Sequence, residues 1–551
     1  MSARPTDAPV TSGANDTLRV RCTCDGSVRA AAADGSLFEV GSACSLQGQR
    51  AVLGHASEGG FVRVDVAGCQ HAEARTVLAA WAERHGLELL WEGERSLPAD
   101  GTTRSDTGHM VRTALVIGGG VAGVQAALDI ADAGYGTCLV ESTYSIGGIM
   151  AALDKTFPTM DCSICILGPK LVDASKHENI ELLTASKVTK VEGTPGDYRV
   201  TVEEAPRYVD ASLCNGCGAC VEACPVVVPN EWDLNLKPRR AIHTMFAQAV
   251  PMKFAIDKDV CIECGMCANV CGLDAIDLCQ EPTTRELHVG AIVLATGVTT
   301  VPGDAKKQYG YGVHTNVVTN MEFERIICAS GPTEGHLYRP DGKPYKRVAF
   351  IQCVGSRDRS CHEYCSMYCC IASIKEARLV MEHAEGADIH VFYNDLRASG
   401  KGFEELYVRS QAEGMRFVKG LPAEVRETPG SLDPIVVYED VESGTQKELE
   451  VDLVVLALAL EPSRDLESLS GMLGIDRDEH GFVRPKQAHG APLETVSPGV
   501  FIAGACSGPR DIPETVAQAS GVASKVCAFF EKEQVASKAS LVRPTITEAA
   551  R

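Results

Sequence analysis

Two cysteine runs, Cys214-x2-Cys217-x2-Cys220-x3-Cys224 and Cys261-x2-Cys264-x2-Cys267-x3-Cys271, limit what this chain can become more than any other feature. Thiols set this closely form disulfides, bind metal or do redox chemistry. The chain has 551 residues, 24 of them cysteine, and 45% of its residues are apolar. A chain of that length buries a large core without covalent staples, unlike the short secreted scaffolds that depend on disulfides. The N-terminal stretch MSARPTDAPVTSGANDTLRV lacks the apolar run of a signal peptide and reads as a polar tail. A cytoplasmic setting with reduced thiols is therefore expected, and spaced reduced cysteines there bind metal.

The duplicated spacing is that of bacterial two-cluster ferredoxins, in which three close thiolates hold one [4Fe–4S] cluster and the fourth cysteine reaches the other. That rule assigns Cys214, Cys217, Cys220 and Cys271 to one cluster, and Cys261, Cys264, Cys267 and Cys224 to the second. Pro225 follows the first run, while Gly272 stands where the second run's proline would be. Zinc needs only four cysteines per site and leaves the three-plus-one duplication unexplained. Elsewhere, Cys22, Cys24, Cys44 and Cys69 lie in an N-terminal segment, and Cys353, Cys361, Cys365, Cys369 and Cys370 crowd a later one. Cys162-x2-Cys165 stands alone, as an active dithiol or as a structural pair. Cys138, Cys279, Cys328, Cys506 and Cys527 read as small core residues.

Upstream of the paired runs, TALVIGGGVAGVQAALDIADAGYGTCLVE (113–141) reads as strand, glycine turn, helix and a second strand ending in an acid. Gly118 permits the turn, Gly120 lets backbone approach a pyrophosphate, and Gly123 lets helix and strand pack closely. Glu141 is placed to accept hydrogen bonds from a ribose. NAD and FAD share this fingerprint. Gly147 and Gly148 offer a further close approach, VGAIVLATG ends a buried strand at Thr296 and Gly297, and PGVFIAGACSGPRDIPETVAQASG adds a strand, Gly504 and a helix carrying Gln518. In this order the segments resemble the FAD domain of thioredoxin-reductase-like flavoproteins. That resemblance implies FAD, with the last helix aiming its positive end at the flavin. The acid usual in that superfamily after the Gly504 position is Ala505 here, so its hydrogen bond must come from elsewhere.

The same superfamily carries a second Rossmann unit for nicotinamide, expected to begin at RVAFIQCVGSRD (347–358). Its glycine fingerprint is missing, and the later cysteine group stands in its place. Cysteines supply no bare N–H cradle for phosphate, but thiolates near a helix N-terminus can hold a cluster. This unit is expected to have exchanged nicotinamide for iron–sulfur.

Together with DKTFPTMDCSICILGPKLVDASKHENIELL (154–183), QCVGSRDRSCHEYCSMYCC (352–370) and PRDIPETVAQASG (509–521), these features make the chain resemble the heterodisulfide reductase A-subunit family, from about Leu18 to Glu533. The resemblance implies an α/β, two-Rossmann FAD flavoprotein with an inserted ferredoxin domain and a small N-terminal cluster domain. It assigns an N-terminal cluster to Cys22, Cys24, Cys44 and Cys69 and a central one to Cys353, Cys365, Cys369 and Cys370, for four clusters in all; Cys361 is surplus. Lys375 would approach the flavin, where an ammonium stabilises anionic reduced states; the plain alternative is a solvated helix lysine. Long family members carry a further C-terminal ferredoxin domain. No cysteine follows Cys527 here, so a short form is expected, with electrons passing through the N-terminal or inserted clusters or a docked partner.

The expected organisation is a disordered tail at 1–17, an N-terminal cluster domain at 18–100 and a linker at 101–110. The FAD domain comes in parts at 111–206, 282–346 (with its connection) and 461–535, around the inserted ferredoxin domain at 207–281. The second Rossmann-like domain spans 347–460, and 536–551 is a tail. A net charge of −21 disfavours nucleic acid as a partner. No apolar run approaches the roughly 20 residues that span a bilayer. The family implies partners of the B and C type and a hydrogenase, formate dehydrogenase or NADH-oxidising module; whether the chain dimerises is open. The expected role is flavin-centred electron transfer with bifurcation. The alternatives are a non-bifurcating relay in a quinone-interacting or benzoyl-CoA reductase type complex, an NAD(P)H-dependent iron–sulfur flavoenzyme, or a cluster-carrying scaffold.

Overall fold

The computed structural model describes residues 17–22, 28–29, 38–40, 63–67, 88–91, 110–339 and 342–541, those before 110 and the last ten as backbone only. The chain divides into two compact units, Met1–Thr107 and Gly108–Arg551. In the first, five strands form one sheet whose centre is parallel: Thr17–Cys22 lies between Phe38–Val40 and Arg63–Ala67, Glu88–Trp91 extends one edge, and Val28–Arg29 adds an antiparallel strand at the other. Thr17, placed in the tail by sequence, already belongs to a strand. Cys22 ends that strand; Cys24, Cys44 and Cys69 lie outside the described residues.

The second unit is built on two five-stranded parallel sheets. In the first the order is Val500–Ile502, Ala291–Leu294, Thr113–Ile117, Gly136–Val140, Ile180–Leu183. These strands are continuous apolar runs because helices and a second β layer cover both faces. Ala114, Val116, Leu139 and Val293 pack on the helix side with the helix Val121–Asp132 and the C-terminal helix Ile512–Leu541. That last helix runs past the expected boundary at 535 to Leu541. The second sheet orders Val317–Thr319, Leu453–Leu458, Arg347–Val354, Asp388–Tyr393, Arg416–Lys419. Its edge strand comes from the stretch read as a connection between domains. Val298–Thr300 and Leu460–Pro462, the segments that lead between the sheets, pair antiparallel.

The ferredoxin insertion interrupts a β-hairpin. Asp197–Glu204 and Thr283–Val289 pair antiparallel along their length, with Glu204 opposite Thr283, so the module leaves and re-enters between two adjacent residues of the sheet. It then folds back on the first sheet's loops. Arg207 donates to the Tyr144 carbonyl and Thr184 Oγ1 at 2.5 and 2.6 Å, and Ile146 bridges Val250. Among the described residues no helix is long and apolar enough to cross a membrane.

Candidate functional site

A cavity of about 820 Å³ opens at the carboxyl ends of the first sheet's strands, where open parallel sheets bind ligands. Gly118 leaves the strand with φ +109°, and a Cβ there would lie 2.4 Å from the Ala295 carbonyl oxygen. Gly123 touches the Gly118 carbonyl so closely that a Cβ would stand 1.8 Å from it. The helix Val121–Asp132 therefore begins hard against the turn. Its N-cap, Gly120, offers no side-chain cap, and its first turn contains no acid. Those N–H groups and the helix dipole are left for an anion.

Gly118, Gly120, Glu141, Gly148, Thr296, Gly297 and Lys375 all line this cavity. Glu141 Oε2 accepts from the Gly119 N–H at 2.7 Å, which fixes the carboxylate at the cavity edge. Thr296 Oγ1 and Arg510 Nε are buried there without hydrogen-bond partners. Unpaired polar atoms around an apolar cavity of this size suit a bound cofactor, and the residues fit FAD: a phosphate-ready helix end, an acid at the ribose position, and an apolar chamber beyond. Gly123, Gly147, Gly504 and Gln518 stand behind the wall. Gly147 donates its N–H to the Gly119 carbonyl at 2.8 Å, and Gln518 Oε1 accepts from the Gly504 N–H at 2.6 Å, clamping the last strand's turn. The final helix does reach the cavity through Ile512 and Thr515, but Asp511 caps it, accepting from the Glu514 N–H at 2.8 Å.

Sequence reasoning missed the acids around Lys375. Its side chain is 2% exposed, and its Nζ donates to Glu324, which is equally sealed. Glu376, also lining the cavity, has 0% exposure. Lys375 is therefore not a solvated lysine. The one available signal was the charged pair Lys375–Glu376 inside the apolar helical run IASIKEARLV.

The central cysteines gather at the end of strand Arg347–Val354 and the start of helix Cys369–His383. Burial first, then the charges of Cys370 and Cys365, push the Cys353 thiol up to about 11. Burial and the charges of Cys353, Cys370 and Cys365 push Cys369 up as well. These four lie within electrostatic reach of one another. Cys361 faces Lys306, Asp358 and Glu461 instead. In the insertion, two five-residue helices, Ala219–Ala223 and Met266–Val270, end in Cys224 and Cys271. A small pocket there is lined by Cys224, Cys261, Cys264 and Cys267, three thiols from one run and one from the other. Burial and the charges of Cys214 and Cys217 push Cys220 up to about 11. Cys162 and Cys165 are joined as a disulfide at the head of helix Ser163–Lys176 and line none of these sites.

Residues 213–276 match the family model of the 4Fe-4S dicluster domain, and residues 113–188 match that of Glucose inhibited division protein A. Among solved structures, the chain aligns with thioredoxin reductases from Lactococcus lactis (16% identity, 76% of this chain and 99% of that one, TM-score 0.44) and T. acidophilum (14%, 77% and 99%, TM-score 0.42). The A-subunit of the H(2):CoB-CoM heterodisulfide,ferredoxin reductase of Methanothermobacter marburgensis is 48% identical over 77% of this chain and 64% of its own length. The second iron-sulfur A-subunit of the CoB--CoM heterodisulfide reductase of Methanopyrus kandleri is 50% identical over 79% of this chain and 66% of its own. The A-subunit of the H(2)/formate:CoB-CoM heterodisulfide,ferredoxin reductase of Methanococcus maripaludis is 46% identical over 79% and 67%. The chain thus spans about two thirds of the length of these relatives. Its cofactors are FAD and [4Fe–4S] clusters. The chain belongs to the heterodisulfide reductase A-subunit family.

Proposed function

We propose that this chain is the electron-transfer subunit of a heterodisulfide-reductase-type complex, and that its flavin is the junction where an electron pair is parted into single-electron chains. One arrangement carries the reading. The flavin cavity is walled by helix Cys369–His383, which starts with two central cysteines, and by Leu234, which comes from the ferredoxin insertion. A flavin bound there would have elements of both cysteine-bearing modules in its wall, and it would supply the exchange between two-electron and one-electron chemistry. The chain's own part is to hold the phosphates on Gly118–Gly120, to place the Lys375 ammonium at the cavity wall, and to keep water out.

Four clusters follow from the cysteine sets. Cys214, Cys217, Cys220 and Cys271 hold one, Cys224, Cys261, Cys264 and Cys267 the second, and Cys353, Cys365, Cys369 and Cys370 the third. The family resemblance assigns a fourth to Cys22, Cys24, Cys44 and Cys69. The partners are proteins of the B and C type together with a two-electron-donating module, in the cytoplasm. A nicotinamide site in the second Rossmann unit is disfavoured, because the turn after Arg347–Val354 is given over to cysteines.

Anaerobic purification with iron, acid-labile sulfide and flavin counted per chain tests this first. About sixteen irons, four per cluster, with one FAD supports the assignment. About eight would leave only the ferredoxin pair. The flavin's two one-electron potentials then separate bifurcation from a simple relay: bifurcation needs them widely crossed, and closely spaced potentials would mean a relay.

A further inference from the structure

Helix Cys369–His383 brings two consecutive charged side chains, Lys375 and Glu376, to the wall of the flavin cavity. Lys375 is matched by Glu324, whose second oxygen accepts from the Asp154 N–H at 3.0 Å. Glu376 is not matched. It is 0% exposed, and its carboxylate oxygens find no donor; the group within hydrogen-bond reach is another carboxyl, that of Glu324. An orphaned buried carboxylate is among the costliest groups a fold can hold, and such a group calls for a chemical explanation.

The groups around it sharpen the point. Glu324 faces it from helix Asn320–Ile327, Lys375 adjoins it on its own helix, and Tyr368 lies just before that helix begins. Asp154 faces Glu324 from the cavity loop, with Lys375, Lys155 and His383 nearby. Among the fully buried members, one ammonium, that of Lys375, confronts two carboxyls, Glu324 and Glu376. Burial, and then the Glu324 charge, hold the Glu376 carboxyl well above the ordinary carboxylate range. Burial therefore favours its protonated form, as for a carboxyl in an apolar pocket.

We propose that Glu376 is the proton donor to the bound flavin, an acid stored at the cavity wall and spent when the flavin takes up electrons. This rests on the cavity holding FAD. The balance is simple. Reduction of the flavin by an electron pair from a two-electron donor takes up one proton at the ring. The Glu376 O–H bond breaks, a ring N–H bond forms, and the carboxylate left behind faces the Lys375 ammonium until a solvent proton restores it. Lys375 is the poorer donor, since losing its proton would strand Glu324.

The test is a reduced-minus-oxidised infrared difference spectrum of the FAD-loaded protein, with dithionite as the two-electron donor. Wild type, Glu376→Gln, Glu376→Asp and Asp154→Asn are compared after flavin per chain has been read from absorbance. Wild type and Asp154→Asn should lose a protonated-carboxyl C=O band on reduction. Glu376→Asp should show that band shifted, and Glu376→Gln should lack it at equal flavin content. No carboxyl band in wild type, or an unchanged band in Glu376→Gln, overturns the proposal. So does loss of flavin from Glu376→Gln alone, which would make Glu376 a binding group. Wild type without flavin would instead sink the FAD reading, and absorbance reveals that before any infrared measurement.

Discussion

Arg325 Nε donates to Asp233 Oδ1 at 2.9 Å, with each side chain only 2% exposed, and this pair ties the ferredoxin insertion to helix Asn320–Ile327 beside the flavin cavity. Arg325 also donates to the Ala152 carbonyl at 2.9 Å, and Asp233 accepts from Asn230 and Lys237 at 2.8 and 3.2 Å. Removing one member strands the other's charge, a loss of about 3–5 kcal/mol for a buried pair. Asp233→Ala should therefore lower the urea midpoint and expose 207–281 to limited proteolysis. Arg325→Met with Asp233→Leu should recover most of the loss, because no unpaired charge stays buried. A double variant as fragile as Asp233→Ala would show that the pair is not what matters.

The cysteine assignments separate by iron count. Cys365→Ser should cost about four irons, the content of one cluster. Cys361→Ser should cost none, since Cys361 faces Lys306, Asp358 and Glu461 rather than the central four. Cys162→Ser and Cys165→Ser should also keep full iron and flavin, losing only the disulfide seen by alkylation and mass spectrometry. Iron lost from any of these three would enlarge the ligand set.

The parts of the site that were legible in the sequence are local ones. Cluster runs, the glycine turn with Glu141, and a helix starting at Cys369 each follow from spacings within a few turns of chain. Lys375 could be placed because it shares that helix. What escaped is the work of distant segments: Glu324 meets Lys375 across 51 residues, and Arg325 meets Asp233 across 92. No periodicity encodes such meetings, which exist only once two sheets and an insertion have packed. Gln518 shows the converse. Its helix is the one that the flavoprotein resemblance aims at the cofactor, yet its amide oxygen is engaged by the Gly504 N–H, one step behind the cavity.

Asp452 should set an acid limb of stability. Burial alone would raise its carboxyl, but the N–H groups of Lys346 and Arg347, at 2.8 and 2.9 Å, and the Arg347 guanidinium, at 2.8 Å, together bring it below the ordinary 3.8. The folded state then binds fewer protons here than the unfolded state, so stability is present above 3.8 and is lost as pH falls through it toward the lower folded value. Urea midpoints of the wild type should drop from about pH 5 downward. Asp452→Asn should start lower at neutral pH and fall less steeply. Parallel curves for the two proteins would mean that Asp452 does not titrate as argued.

Two glycines of the turn should fail in different ways. A methyl at Gly123 would lie 1.8 Å from the Gly118 carbonyl oxygen, backbone that cannot yield without lifting helix Val121–Asp132 off its strand. Gly123→Ala should lose at least about 1–3 kcal/mol, the usual range for overpacking, and its flavin with it. A methyl at Gly120 would meet nothing nearer than Gly148 Cα at 3.9 Å, so the protein itself has room for it. That room is the space assigned to the pyrophosphate. Gly120→Ala should keep the wild-type urea midpoint while FAD affinity falls at least tenfold, about 1.4 kcal/mol. Flavin titration of deflavinated protein beside urea melts distinguishes the two. Normal FAD binding by Gly120→Ala would move the phosphates away from this helix end.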